Sequence, residues 1–176
     1  MLLAALLALA DAATLAGVTL PDTATVGGQT VRLNGIGLRE KFYVDVYVGG
    51  LYLTHPTKDG TAAIDADEPK RVVMHFVYSK VTRDQLVESF VSDFGHDPAS
   101  ARHKADIDRL IAVLPAQVVA GEELVFDYVP GQGTTFRVGG KPAVTIAGVD
   151  FMKMIWNVWL GPNPPTADIK KGMLGL

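Results

Sequence analysis

The chain has 176 residues, enough for one domain with a sizeable core, and 48% of them are apolar, which excludes a disordered chain. Its formal net charge of −3 gives no electrostatic reason to expect a nucleic-acid partner. It has no cysteine, so disulfides and thiolate metal sites are excluded.

Met1 to Ala10, MLLAALLALA, is an apolar run followed by a small-x-small site at Ala10 and Ala12. That is the pattern of a signal-peptide apolar region, and it is too short to span a bilayer as a permanent helix. Residues 1–12 are therefore expected to be a signal peptide and 13–176 a single domain, periplasmic or secreted. A buried N-terminal helix is the alternative, because no Lys or Arg precedes the run. No later segment has the pattern of a membrane span.

Pro21 to Gly28 is polar and turn-rich, and Thr30 to Leu33 alternates as a strand. Gly35 and Gly37 then interrupt it, and glycines inside a strand mark a bulge, a bend or a close backbone approach. Phe42 to Leu53 is the strongest strand signal, with Phe42, Val44, Val46 and Val48 on a dry face and Tyr43, Asp45 and Tyr47 on a mixed one. A loop with an Ala-rich segment leads to another strand, Arg71 to Tyr78, with Met74, Phe76 and Tyr78 on one face.

Thr82 opens a helix with Gln85 at the capping-box position, an apolar stripe of Leu86, Val87, Phe90, Val91 and Phe94, and Gly95 as its stop. Asp97-Pro98 starts a second helix, with Ile107, Leu110, Ile111 and Leu114 as its stripe. A β-meander follows: Glu123 to Tyr128, Thr134 to Val138, a Gly139-Gly140 turn, and Lys141 to Ile146. Helices close the chain, one from Asp150 to Leu160 and a short one capped by Thr166 that places Ile169 and Met173 inward. Strands and helices in this order predict an α+β domain, an antiparallel sheet with helices covering one face.

The four histidines, His55, His75, His96 and His103, form no metal-ligand pair, so no metal site is expected. No serine sits in a G-x-S-x-G elbow, and Gly27-Gly28 and Gly35-x-Gly37 lack a phosphate-loop context, so no nucleotide cofactor is expected. Arg39 is the residue that stands out. Its guanidinium offers a planar fork to carboxylate or enolate oxygens, with surface pairing to Glu40 or Asp45 as the plainer reading. Tyr43, Tyr47 and Tyr52 are each able to give the same anion a phenol hydrogen bond.

NGIGLREKFYVDVYVGGLYL, from Asn34 to Leu53, resembles the signature of the chalcone isomerase-like superfamily. FDYVPGQGTTFRVGGK (Phe126 to Lys141) and FMKMIWNVWLGPNPPTADIKKGMLG (Phe151 to Gly175) resemble that family's sheet hairpin and closing helices. The resemblance spans residues 18–176 and is nearest the small exported bacterial branch. It implies an open-faced β-sandwich, an antiparallel sheet with helices packed on one face and a cleft between them. The family includes plant enzymes that cyclise chalcones, and non-catalytic members that hold a fatty-acid carboxylate with an arginine and a tyrosine.

By that resemblance Arg39 matches the shared arginine, and Tyr47 its partner, with Tyr52 as the alternate. The plant enzymes carry a threonine at the partner position, so Tyr47 points to the binding type. The expected function is non-catalytic binding of a fatty acid or similar amphipathic carboxylate, without a cofactor. Its tail would lie between the sheet and the helices carrying Phe90, Phe94 and Ile111. The alternatives are an isomerase or intramolecular lyase in which Arg39 stabilises an oxyanion, and a structural module with no ligand. One geometric condition applies. Arg39 and Tyr47 are eight residues apart, about 26 Å on a straight strand, so they share a ligand only if the chain reverses between them, expectedly at Glu40-Lys41.

Overall fold

The computed structural model describes residues 12–176, so the expected leader, save its last residue Ala12, lies outside the described residues. Two short strands, β1 (Ala13–Leu15) and β2 (Val18–Leu20), form an antiparallel hairpin of their own. β3 (Thr23–Val26) and β4 (Gln29–Lys41) follow, joined at Gly27-Gly28, whose φ angles of 56° and 78° suit a two-residue hairpin turn. Residues 21–28, expected as a loop, thus contain a strand. Its threonines, Thr23 and Thr25, hide an alternation that the pairing with β4 brings out.

β4 passes through Asn34, Gly35 and Gly37 without breaking. Asn34 is the bulged residue, and its side-chain amide donates to the Thr57 and Met173 carbonyls at 2.9 Å each. The chain then reverses at Phe42-Tyr43, and β5 (Val44–Leu53) returns antiparallel with Arg39 opposite Tyr47. This corrects the expectation of a strand starting at Phe42 and of a reversal at Glu40-Lys41. The ladder and the burial of Tyr47 fix the register, and the turn falls where the register puts it, on two aromatics at φ 52° and 62°.

α1 (Gly60–Asp65) is capped by the Asp59 carboxylate, which accepts from the Thr61 and Ala62 amides. β6 (Lys70–Phe76) pairs with β5. β7 (Lys80–Thr82) leads into α2 (Arg83–Gly95), which begins at the expected capping box of Thr82 and Gln85. A 3-10 turn at Pro98–Ala101 precedes α3 (Lys104–Ala112), so the second helix starts later than Asp97-Pro98 suggests. β8 (Gln117–Val119) pairs with β7 in a small separate ladder. β9 (Glu123–Val129), β10 (Gly133–Val138) and β11 (Lys141–Ile146) are the expected meander. α4 (Val149–Leu160) and α5 (Ala167–Met173) close the chain.

The main sheet runs β11-β10-β9-β6-β5-β4-β3, with every neighbouring pair antiparallel. Period-two alternation splits its side chains between two cores. Tyr47, Leu51, Met74, Phe76, Leu124, Phe126 and Tyr128 face the helices. Val48, Tyr52, Val73 and Val125 face the other way, where Val18 and Leu20 of the β1–β2 hairpin cover them. α4 is buried almost all round, as a helix apolar on every side must be, and brings Trp156 and Trp159 into the larger core. The fold is the expected α+β class, an antiparallel sheet with helices on one face, and it carries a smaller apolar core on the other. Among the described residues no helix is long and apolar enough to cross a membrane.

Candidate functional site

α2 does not close against the sheet along its whole length. Leu86, Phe90 and Asp93 lie one turn apart on its inner face, opposite the turn end of the β4–β5 hairpin. Between them is a cavity of about 390 Å³, floored by Tyr47, Met74, Phe76 and Trp159. Its rim is formed by exposed residues, Lys41 and Val44 from the strands, Phe42 and Tyr78 from the connections between strands, and Gln85 and Glu88 from α2. Walls that are mostly apolar with a few convergent polar groups are the usual form of a small-molecule site.

The polar end centres on Tyr47. Its hydroxyl accepts a hydrogen bond from the Trp159 indole N–H at 3.0 Å, and both side chains are buried. The hydroxyl keeps its own proton to donate. Burial pushes the phenol pKa upward, the Trp159 bond works against this, Asp93 adds to it and Arg39 opposes it, so Tyr47 stays a neutral donor. Asp93 is shifted in the same direction, chiefly by burial, against the pull of Arg39, His96 and Lys41. The site therefore pairs a phenol with a carboxyl group that holds its proton more tightly than an exposed aspartate does.

Arg39 stands on the same sheet face as Tyr47, its direct cross-strand partner. The hairpin thus meets the geometric condition set by the spacing. The guanidinium itself does not line the cavity. It donates to the Glu40 carbonyl at 2.6 Å and to the Pro165 carbonyl at 3.2 Å, which ties the hairpin to the segment before α5. Its charge still acts on both Tyr47 and Asp93.

Tyr52, the alternate partner, is placed differently from the expectation. It lies on the opposite face, in the smaller core, and its hydroxyl donates to the Pro21 carbonyl at 2.7 Å. It lies five positions after Tyr47 along one strand, and an odd offset puts the two rings on opposite faces. Phe90 lines the cavity as expected, whereas Phe94 and Ile111 pack in the core away from it. Three histidines sit beside carboxylates, His55 by Glu68, His75 by Glu123 and His103 by Asp106.

Sequence reasoning missed Asp93 and Trp159. Asp93 falls seven residues after Leu86 and three after Phe90, on the very stripe that should be apolar, and that misplacement was a readable signal. Trp159 gave none, since an indole in an apolar helix reads as core until its N–H partner is known.

A family model described as chalcone isomerase-like matches residues 12–175. No curated protein matches the chain closely enough to count as a relative. Among solved structures, the chain is similar to the crystal structure of a fatty-acid binding protein from Arabidopsis thaliana, with a TM-score of 0.74 and 15% identity. That likeness covers 93% of this chain and 96% of that one, and at such identity it speaks for the fold. With the family match spanning all but the last of the described residues, the chain belongs to the chalcone isomerase-like family.

Proposed function

We propose that the protein binds a fatty acid or similar single-chain amphipathic carboxylate, without chemical conversion. The observation that carries this reading is the cavity of about 390 Å³, apolar along Met74, Phe76, Leu86 and Phe90 and polar at Tyr47 and Asp93. The tail lies along the apolar wall. The head group meets the Tyr47 hydroxyl and the Asp93 carboxyl, with the positive charges of Arg39 and Lys41 behind them. The solved fatty-acid binding protein of like fold supports the reading. An oxyanion-stabilising enzyme asks for a guanidinium inside the cavity, and here Arg39 is held on two carbonyls at its edge. The apolar run of Met1 to Ala10 supports an exported protein, periplasmic or secreted, which the N-terminal sequence of the mature chain from fractionated cells would test.

The ligand reading is tested by extracting the purified protein for mass spectrometry and titrating the delipidated chain with fatty acids of increasing length. Binding should strengthen with chain length until the cavity is full, and Arg39→Ala should weaken the fatty acid but not the matching alcohol. A protein that carries no lipid and shows no affinity for any chain length overturns the proposal.

A further inference from the structure

The turn that closes the β4–β5 hairpin is built from the wrong residues for a turn. Phe42 and Tyr43 are 85% and 96% exposed, and both have φ in the left-handed region, at 52° and 62°. Bulky side chains pay strain there, and Asn-Gly would close the same turn without it. Folding therefore gives no reason for two aromatics at this tip.

Their surroundings supply one. Val44 and Tyr78 are 39% and 40% exposed, and Phe42, Val44 and Tyr78 all line the cavity. Of the six large hydrophobic side chains exposed among the described residues, three line this rim and a fourth, Tyr43, stands beside them on the turn, outside the cavity lining. Lys41 holds its ammonium 5.8 Å from the centre of the Phe42 ring. A ring beside a long-stemmed amine suits the boundary of a bilayer, with the ring among the acyl chains and the amine at the phosphates. Tyr43 has the apolar body and polar tip typical of interfacial aromatics. Lys41 and Glu88 both stand on this rim, and Glu40 and Asp45 adjoin the turn in sequence, so the rim carries no net positive charge and its attraction is apolar rather than electrostatic.

We propose that the Phe42–Tyr43 tip docks on a lipid bilayer, seating the mouth of the cavity against the membrane. This rests on the ligand reading above, because a single-chain amphiphile stored in a bilayer could then pass into the cavity without its tail crossing water.

The test is co-sedimentation of the full chain with phosphatidylcholine vesicles, and with vesicles containing phosphatidylglycerol, at low and high salt. The protein should associate with both, and salt should change the association by less than about twofold. Tyr43→Gly should weaken it by about tenfold through loss of one inserted ring. That variant relieves strain and leaves the cavity lining intact, so its melting temperature should not fall. Its affinity for a fluorescent fatty acid in vesicle-free buffer should be unchanged, while transfer of that fatty acid from donor vesicles slows. Tyr43→Trp should retain association and show a blue-shifted emission on vesicles. The proposal is overturned if the wild type ignores both vesicles, if Tyr43→Gly binds as well as wild type, or if only anionic vesicles bind and salt releases the protein. Absence of fatty-acid affinity in vesicle-free buffer would instead overturn the ligand reading.

Discussion

Asp93 is the residue whose chemistry a carboxylate ligand must meet. Burial raises its pKa, with Arg39, His96 and Lys41 pulling the other way. The folded chain therefore binds a proton more readily than the unfolded chain does. Between the unfolded and folded pKa values the native state holds more protons, so the contribution of Asp93 to stability falls as pH rises through that window. Asp93→Asn removes the buried charge. The variant should be the more stable protein at neutral pH, and the difference should close at acid pH; urea unfolding midpoints across pH measure it. The ligand should show the same group from the other side. A protonated Asp93 donates to a carboxylate, whereas an ionised one repels it, so fatty-acid affinity of the wild type should rise as pH falls toward the ligand's own pKa. A pH-independent affinity in the wild type would mean that the head group binds away from Asp93.

At the scale of elements, α5 lies directly on β4, and three glycines make that possible. A Cβ on Gly37 would collide with the Ile169 carbonyl, one on Gly35 with the Gly172 carbonyl, and one on Gly172 with the Ile36 carbonyl. Backbone cannot yield as a flexible side chain can, so Gly37→Ala should cost about 1–3 kcal/mol by forcing the helix off the strand. Gly95→Ala is the control, since a Cβ there meets nothing and the helix end should be unchanged or stabilised by about 0.4–1 kcal/mol. Thermal or urea unfolding of the pair separates contact from composition. Gly35-x-Gly37 was legible in the sequence as a bulge, a bend or a close approach, although which of these, and the element that approaches from far along the chain, were not. The helix starts at Thr82 and Thr166 were legible too, because a capping side chain is a local signal. The Phe42-Tyr43 turn was illegible for the converse reason. No glycine or asparagine marks it, and only the Arg39–Tyr47 register, a property of two strands at once, puts the reversal there. For the site, this means that the pairing of Arg39 with Tyr47 could be stated as a condition but not placed.

At the scale of the whole molecule, the larger core opens under α2. Phe90 stacks with Phe94 and meets Phe126 and Phe136 edge-on, which fills one end of the helix–sheet space. Toward the hairpin tip the filling stops and the cavity begins. An unfilled space of about 390 Å³ forfeits contacts that packed side chains would make, and so costs stability. If the space serves a ligand, stability and binding must trade against each other there. Leu86 offers the direct trial, being buried, on the cavity wall and one helical turn from Phe90. Leu86→Phe adds a ring into the empty volume, and should raise the melting temperature of the delipidated protein by about 2–4 °C. The same ring should weaken the longest fatty acid that the wild type accepts by at least about tenfold and spare short chains, because only a long tail needs the filled volume. Calorimetry without ligand and titration with a chain-length series read the two effects independently. Higher stability with chain-length dependence unchanged would make the cavity a packing defect, and would return the molecule to a structural module without a ligand.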